Sequence, residues 1–220
     1  MPLANFRDVG DGGAVRRGVL FRSDTLQGLD AAEVAELTAL GLRFVVDLRA
    51  AAEALEGGRP VLGPRACHLN VPFDNVDGHG APLESVYLHH LRHDDNVRVA
   101  IELLAAALPE PTLVHCAAGK DRTGMVIALA LGAAGIGHDD IVADYLRSGP
   151  NMPSVLRRFR AWPSFRQRSI PEDYYQCQES VIRAFLDCVS GEFGGFDGWA
   201  RQAGVSTGAI TRLRQALNPS

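Results

Sequence analysis

Short apolar runs alternate with stretches of helical periodicity along this chain. Residues 43–48 (RFVVDL) and 112–115 (TLVH) are brief and rich in β-branched side chains, which predicts buried strands. Residues 18–22 (GVLFR) and 67–72 (CHLNVP) predict two more. Apolar positions recur at helical spacing over 29–40, with Asp30 placed to cap the first turn and Gly41 to end the last. A helical turn is expected at 50–55, and a longer helix over 85–108, broken near His93 and stopped by Pro109 and Pro111. Helices follow at 123–134, at 139–147 after Gly137, at 179–189 and at 198–217, the last two separated by the glycines of 191–195. Residues 73–82, rich in Gly, Asp and Asn, predict a mobile loop. Residues 148–175, with four prolines and clustered arginines, predict an irregular or helical surface segment. Strands alternating with helices, without internal repeats, argue for an α/β fold around a short sheet.

The 220 residues are 46% hydrophobic and 22% charged, which suits one globular domain and argues against disorder. A formal net charge of −4 speaks against non-specific binding to nucleic acid or anionic membrane, though an anion pocket needs only a few well-placed cations. Cys67, Cys116, Cys177 and Cys188 form no C-x-x-C pair, so neither a zinc ribbon nor a thioredoxin-type motif is expected. The N-terminus lacks the apolar core of a signal peptide, and no apolar run has the length of a membrane span. The expectation is a cytoplasmic protein with free thiols. The sequence sets no oligomeric state.

The chemistry concentrates in residues 115–124, which read H-C-x-x-G-K-D-R-T-G. A strand runs out before Cys116 and a helix begins near Arg122, so the intervening turn, through Ala117, Ala118, Gly119, Lys120 and Asp121, can aim several N–H groups at one phosphate. Gly119 permits backbone angles that a Cβ disfavours. Arg122, six residues after Cys116, has a planar guanidinium that matches two phosphate oxygens at once, and Lys120 adds a second positive charge. Amides, helix dipole and cations together favour a thiolate over a thiol at Cys116, a nucleophile placed for in-line attack on phosphorus. Thr123 can donate its hydroxyl to the sulfur when the thiolate leaves again. His115 is read as orienting the loop rather than moving protons.

These residues resemble the signature of the protein tyrosine phosphatase superfamily, C-x5-R followed by Ser or Thr. Asn5 to Gly10 (NFRDVG), Arg22-Ser23-Asp24, Val46 to Arg49 with Glu53, and the tail Phe193 to Trp199 (FGGFDGW) extend the likeness to the bacterial tyrosine-phosphatase B-like group. The resemblance implies a largely parallel sheet of four or five strands flanked by helices, with 1–220 as one phosphatase domain and 148–175 as a possible helical lid. It implies hydrolysis of phosphotyrosine, and in some members of phosphoserine, phosphothreonine or phosphoinositides. The partners are then a phosphorylated protein or a phosphoinositide, and no metal or other cofactor is required. Lys120 is similar to the lysine of lipid-directed members, which raises the phosphoinositide reading.

Phosphoester cleavage benefits from an acid that protonates the leaving oxygen and later a base for water. Asp121 inside the loop ranks ahead of Asp74, in the loop after Pro72 with Asp77, while Asp47 at its strand end is read as a supporting residue that pairs with Arg49. Arg157, Arg158 and Arg160 suit either an acidic substrate or a solvated helix face. His89, His90 and His93 lack a matching carboxylate or cysteine for a metal. Trp162, Trp199 and Phe196 are read as packing residues. Two rival functions share the anion loop: a non-catalytic phosphate-binding module, which would need neither Cys116 nor an acid, and a sulfur- or arsenate-handling enzyme.

Overall fold

The computed structural model describes residues 3–57, 62–73, 81–160 and 172–218. Its centre is a five-stranded sheet of β1 (Arg7–Asp8), β2 (Leu20–Ser23), β3 (Phe44–Asp47), β4 (Cys67–Asn70) and β5 (Thr112–His115), in the order β1-β2-β5-β3-β4. All neighbours run parallel except β1, which is antiparallel to β2. This is the expected α/β arrangement with a largely parallel sheet flanked by helices. The edge strand β1 was not anticipated, because its two charged residues carry no apolar pattern.

The period-two pleat sorts side chains to two faces. Leu20, Val46 and Val114 enter the large core, whereas Phe21, Val45 and Leu113 pack on the smaller cluster with Leu37 of α1 (Ala31–Ala39). Helix α1 starts in a reciprocal capping box, with Asp30 accepting from the Glu33 N–H and Glu33 from the Asp30 N–H. Helix α2 (Ala51–Gly57) links β3 towards β4. The expected break near His93 falls at Asp94, between α3 (Leu83–His93) and α4 (Asp95–Ala107). Asp94 accepts from the Asn96 N–H through Oδ1, and its Oδ2 lies 2.8 Å from His90 Nδ1.

Helix α5 (Asp121–Ala133) runs through the large core, with every residue from Thr123 to Ala133 buried. It is followed by α6 (His138–Leu146) and α7 (Met152–Phe159). Helix α8 (Glu179–Phe193) continues through Gly191, four residues past the expected end, until Gly194 and Gly195 adopt φ of 73° and 96°. The continuous helix expected over 198–217 is instead two, α9 (Phe196–Ala203) and α10 (Thr207–Leu217). Gly204 takes the left-handed region at φ 78°, and Ser206 caps α10 by accepting from the Ala209 N–H. Apolar periodicity alone did not register this cap-to-cap turn.

Trp199 is buried and its indole N–H donates to the Leu91 carbonyl at 3.4 Å. Trp162 lies outside the described residues. The Phe196 ring lies on Gly132 of α5, where a Cβ would come within 2.1 Å of the ring. Since that ring fixes how α9 meets α5, Gly132→Ala is expected to destabilise the fold by about 1–3 kcal/mol. Urea denaturation read by circular dichroism checks this; an unchanged midpoint would show that the ring moves aside freely.

Candidate active site

Parallel pairing brings Ser23, His115 and Asp47 into one row at the carboxyl ends of β2, β5 and β3. Ligands of open α/β sheets bind outside such ends, and residues 116–120 turn there from β5 into α5. The carbonyls of this turn are all engaged. Ala117 O accepts from the Thr25 N–H at 2.8 Å, Ala118 O from Asn5 Nδ2 at 3.0 Å, and Gly119 O from Arg22 Nη2 at 2.8 Å. Cys116 O meets His115 Nδ1 at 3.1 Å, and Lys120 O accepts from the Gly124 N–H at 2.7 Å. A trans peptide points its N–H opposite to its C=O. Carbonyls drawn outward therefore turn the N–H groups of residues 118, 119 and 120 into the bowl.

Gly119 makes the turn possible. It sits at φ 67°, and a Cβ would lie 2.2 Å from the Ser23 carbonyl oxygen. Helix α5 begins without a side-chain cap, so its N-terminal amides add to the anion-binding surface.

Cys116 lies at the floor, 2% exposed. Arg122 is held over it by Glu53 of α2, with Nη1 to Oε2 at 2.7 Å and Nη2 to Oε1 at 3.5 Å. Burial pulls the Arg122 guanidinium down, but the charges of Cys116 and Glu53 outweigh it and hold the group above its ordinary range. Thr123 Oγ1 is buried with no hydrogen-bond partner among the described residues. Asp121 is half-buried, and its Oδ1 accepts from Lys120 Nζ at 2.8 Å and from Tyr87 OH at 2.9 Å. Lys120 is itself buried, its ammonium also donating to the Gln176 carbonyl at 3.1 Å. His115 Nε2 is 3.8 Å from Asp47 Oδ1, and Asp47 accepts a fork from Arg49, with 2.7 Å to Nη2. Burial pushes the Asp47 carboxyl up, but His115 and Arg49 bring it below its ordinary value. Asp74 and Asp77 lie outside the described residues.

A turn from β5 to α5 whose carbonyls are engaged outward, with Cys116 buried at its start and the Arg122 fork held by Glu53, is the arrangement that the 115–124 signature leads one to expect. Residues 2–218 match the sequence model of the tyrosine phosphatase family. The chain belongs to the tyrosine phosphatase family. It is 30% identical to the triple specificity protein phosphatase PtpB of Mycobacterium tuberculosis, over 97% of this chain and 96% of that relative. It is 26% identical to a tyrosine-protein phosphatase of Nostoc commune, over 93% of this chain and 76% of the relative.

Several residues that shape this phosphatase's loop carried no individual signal in the sequence. Asn5 and Arg22 stood in the resemblance without a role, and Glu53 likewise, until the fold set each against a loop carbonyl or the Arg122 fork. Tyr87 of α3 meets Asp121 across 34 positions of sequence, and its hydroxyl is 3.1 Å from that of Tyr145. Arg158 of α7 is half-buried. It pairs with buried Asp24 and donates to the carbonyls of Thr25 at 3.3 Å and Gln27 at 3.1 Å. Met152, Val155 and Phe159 of α7 pack with Ala117 and Ala118 of the loop. The His89 ring lies against that of His93 with centroids 5.3 Å apart and planes tilted by 55°, while His90 pairs with Asp94.

Burial lowers the His115 imidazole from 6.5 to about 4, the Asp47 charge opposing. Between those values the unfolded chain binds a proton that the folded chain does not. The stabilisation from a neutral His115 is therefore complete above pH 6.5 and is lost as pH falls towards 4. His115→Gln is expected to remove roughly 3 kcal/mol of acid sensitivity from that window. Denaturant midpoints of both proteins from pH 7 to pH 4 test this, and parallel slopes would exclude His115 as the source.

Proposed function

We propose that this tyrosine phosphatase hydrolyses phosphotyrosine in proteins through a phosphocysteine intermediate. The observation that carries the proposal is the outward engagement of the loop carbonyls from Cys116 to Lys120, which leaves inward amides around the Cys116 sulfur and beneath Arg122. The amides of residues 117–122 and the Arg122 fork hold the phosphoryl oxygens. The Cys116 thiolate forms a bond to phosphorus as the bond to the leaving oxygen breaks. Asp121 gives that oxygen its proton. Lys120 and Tyr87 both donate to Oδ1, which leaves Oδ2 for the transferred proton. Water then attacks the phosphocysteine, gives its proton to the Asp121 carboxylate, and displaces the thiolate as phosphate departs. The unpartnered Thr123 hydroxyl is available to donate to the departing sulfur. His115 and Asp47, with Arg49, brace the loop and move no proton.

The choice among substrates rests on Lys120. Its ammonium is buried and occupied by Asp121 and the Gln176 carbonyl, so it offers no free charge to a second phosphate. That favours phosphotyrosine over phosphoinositide, with phosphoserine and phosphothreonine as slower substrates. We read residues 1–220 as one phosphatase domain with 148–175 as its lid segment, of which 161–171 lie outside the described residues, on the strength of the α7 contacts with the loop. The four cysteines are free, which suits a cytoplasmic enzyme. No helix among the described residues is long and apolar enough to cross a membrane.

Cys116→Ser is expected to lower kcat roughly 1000-fold or more while still binding vanadate. Arg122→Lys should lose roughly 100-fold or more, since a point charge does not reproduce the fork. Steady-state release of phosphate from phosphotyrosine, phosphoserine and phosphoinositide substrates measures both the variants and the preference. Full turnover in Cys116→Ser ends the mechanism, and wild-type binding without turnover returns the chain to a phosphate-binding module.

A further inference from the structure

Behind the loop, Arg7 and Arg22 stand directly opposite each other in the antiparallel β1–β2 register. Like charges in that relation repel, and both side chains are buried, at 6% and 0% exposure. Asp144 of α6 bridges them, its Oδ1 accepting from Arg7 Nε at 3.0 Å and its Oδ2 from Arg22 Nη1. Their remaining partners are neutral. Arg7 donates to Asn5 Oδ1 at 2.9 Å, to the Asp144 carbonyl at 2.6 Å and to Ser148 Oγ at 3.2 Å. Arg22 donates to the Gly119 carbonyl at 2.8 Å, and its Nε has no acceptor. Burial, reinforced by the Arg22 charge, lowers Arg7 to about 10.

Among the described residues, and apart from the Cys116 thiolate, the other charges around the loop include the pairs Lys120 with Asp121, Arg122 with Glu53, Arg49 with Asp47 and Arg158 with Asp24. The cluster behind Gly119 holds two guanidiniums against one carboxylate. A buried charge without a counter-ion is costly, and apolar side chains of equal volume would give a more stable interior. The excess lies one peptide unit from the bowl. The Arg22 bond to Gly119 O also turns the following peptide so that the Lys120 N–H faces inward.

We propose that Arg22, with Arg7 and Asp144, is a positioning element of the phosphate site that fixes the Gly119 carbonyl and supplies a standing positive charge that favours both the Cys116 thiolate and the bound phosphoryl group. The proposal rests on residues 116–122 being that site. Asn5 completes the arrangement by linking Arg7 to the Ala118 carbonyl.

The test is competitive inhibition by inorganic phosphate, measured on the full chain with kcat and KM for an aryl phosphate. Arg22→Gln removes the excess charge and the Gly119 bond together. Its phosphate Ki and its KM are expected to rise roughly tenfold or more, the loss of a unit charge near a phosphate anion being worth at least about 1.4 kcal/mol in an effective dielectric of about 20, with a smaller fall in kcat. Arg7→Gln, which does not touch Gly119, raises Ki through the charge alone. Asp144→Asn damages the same cluster but changes its charge in the opposite sense, so phosphate binding stays as tight or tightens. A purely structural cluster would weaken phosphate in all three, and weakening in Asp144→Asn to match Arg22→Gln overturns the proposal. An unchanged Ki in folded Arg22→Gln does the same. If Arg22→Gln does not fold, the Arg7→Gln and Asp144→Asn pair decides by the same opposition of sign. Wild-type protein that neither binds phosphate nor cleaves the aryl ester would refute the site itself, a result distinct from any of these.

Discussion

The close approach of Gly119 to the end of β2 is the constraint on which the active site depends. With the Gly119 Cα packed against the Ser23 carbonyl, no side chain fits, and the turn from β5 to α5 has to run along β2 rather than bulge into solvent. Running there, its carbonyls meet donors supplied by β2, by the segment after it and by the N-terminal strand region. The inward direction of the amides is the geometric remainder of those bonds. An anion site of this kind owes its shape to peptides that are held from behind, before any ligand arrives.

The same logic extends to the charged side chains. The Arg122 fork is fixed by Glu53, with both side chains largely withdrawn from solvent. Asp121 is fixed by Lys120 and Tyr87, and Tyr87 by Tyr145. In each case the residue proposed to meet substrate has a partner on a different element, α2 for Arg122 and α3 for Asp121. The bowl thus depends on the packing of the whole sheet-and-helix framework, and a defect remote in sequence reaches it through one contact.

Much of this was legible in the sequence because local chemistry dictated it. The β5 run, the signature after it and the apolar α5 are contiguous, so strand, loop and helix follow from residues 112–134 alone. Asp30 caps the start of α1 as its local sequence leads one to expect, and Glu33 completes a box that the sequence reading did not name. What escaped depends on distant residues meeting. Strand β1 has no periodicity and exists because Arg7 and Asp8 find the edge of β2. Asp144 reads as one more polar residue on an amphipathic helix until α6 sets it between two arginines. Lys120 reads as a substrate-facing cation, and only the placement of Gln176 and Asp121 shows its charge to be occupied.

Helix α7 shows how far the dependence on packing goes. Its apolar side covers Ala117 and Ala118, while Arg158 reaches down to Asp24, whose Oδ1 in turn accepts from the Asn5 N–H. Burial raises the Asp24 carboxyl and Arg158 opposes that shift, so docking of α7 and ionisation of Asp24 favour one another. Asn5 stands at the meeting point, with its backbone on Asp24, its amide on Ala118 and its oxygen on Arg7. The outer wall and the buried cluster behind Gly119 therefore converge on one asparagine. Apart from Arg22 Nε, the side-chain polar atoms of Asn5, Arg7, Arg22 and Asp144 in this network have partners among the described residues, which favours a single arrangement. That is why a turn of so few residues needs partners from both ends of the chain.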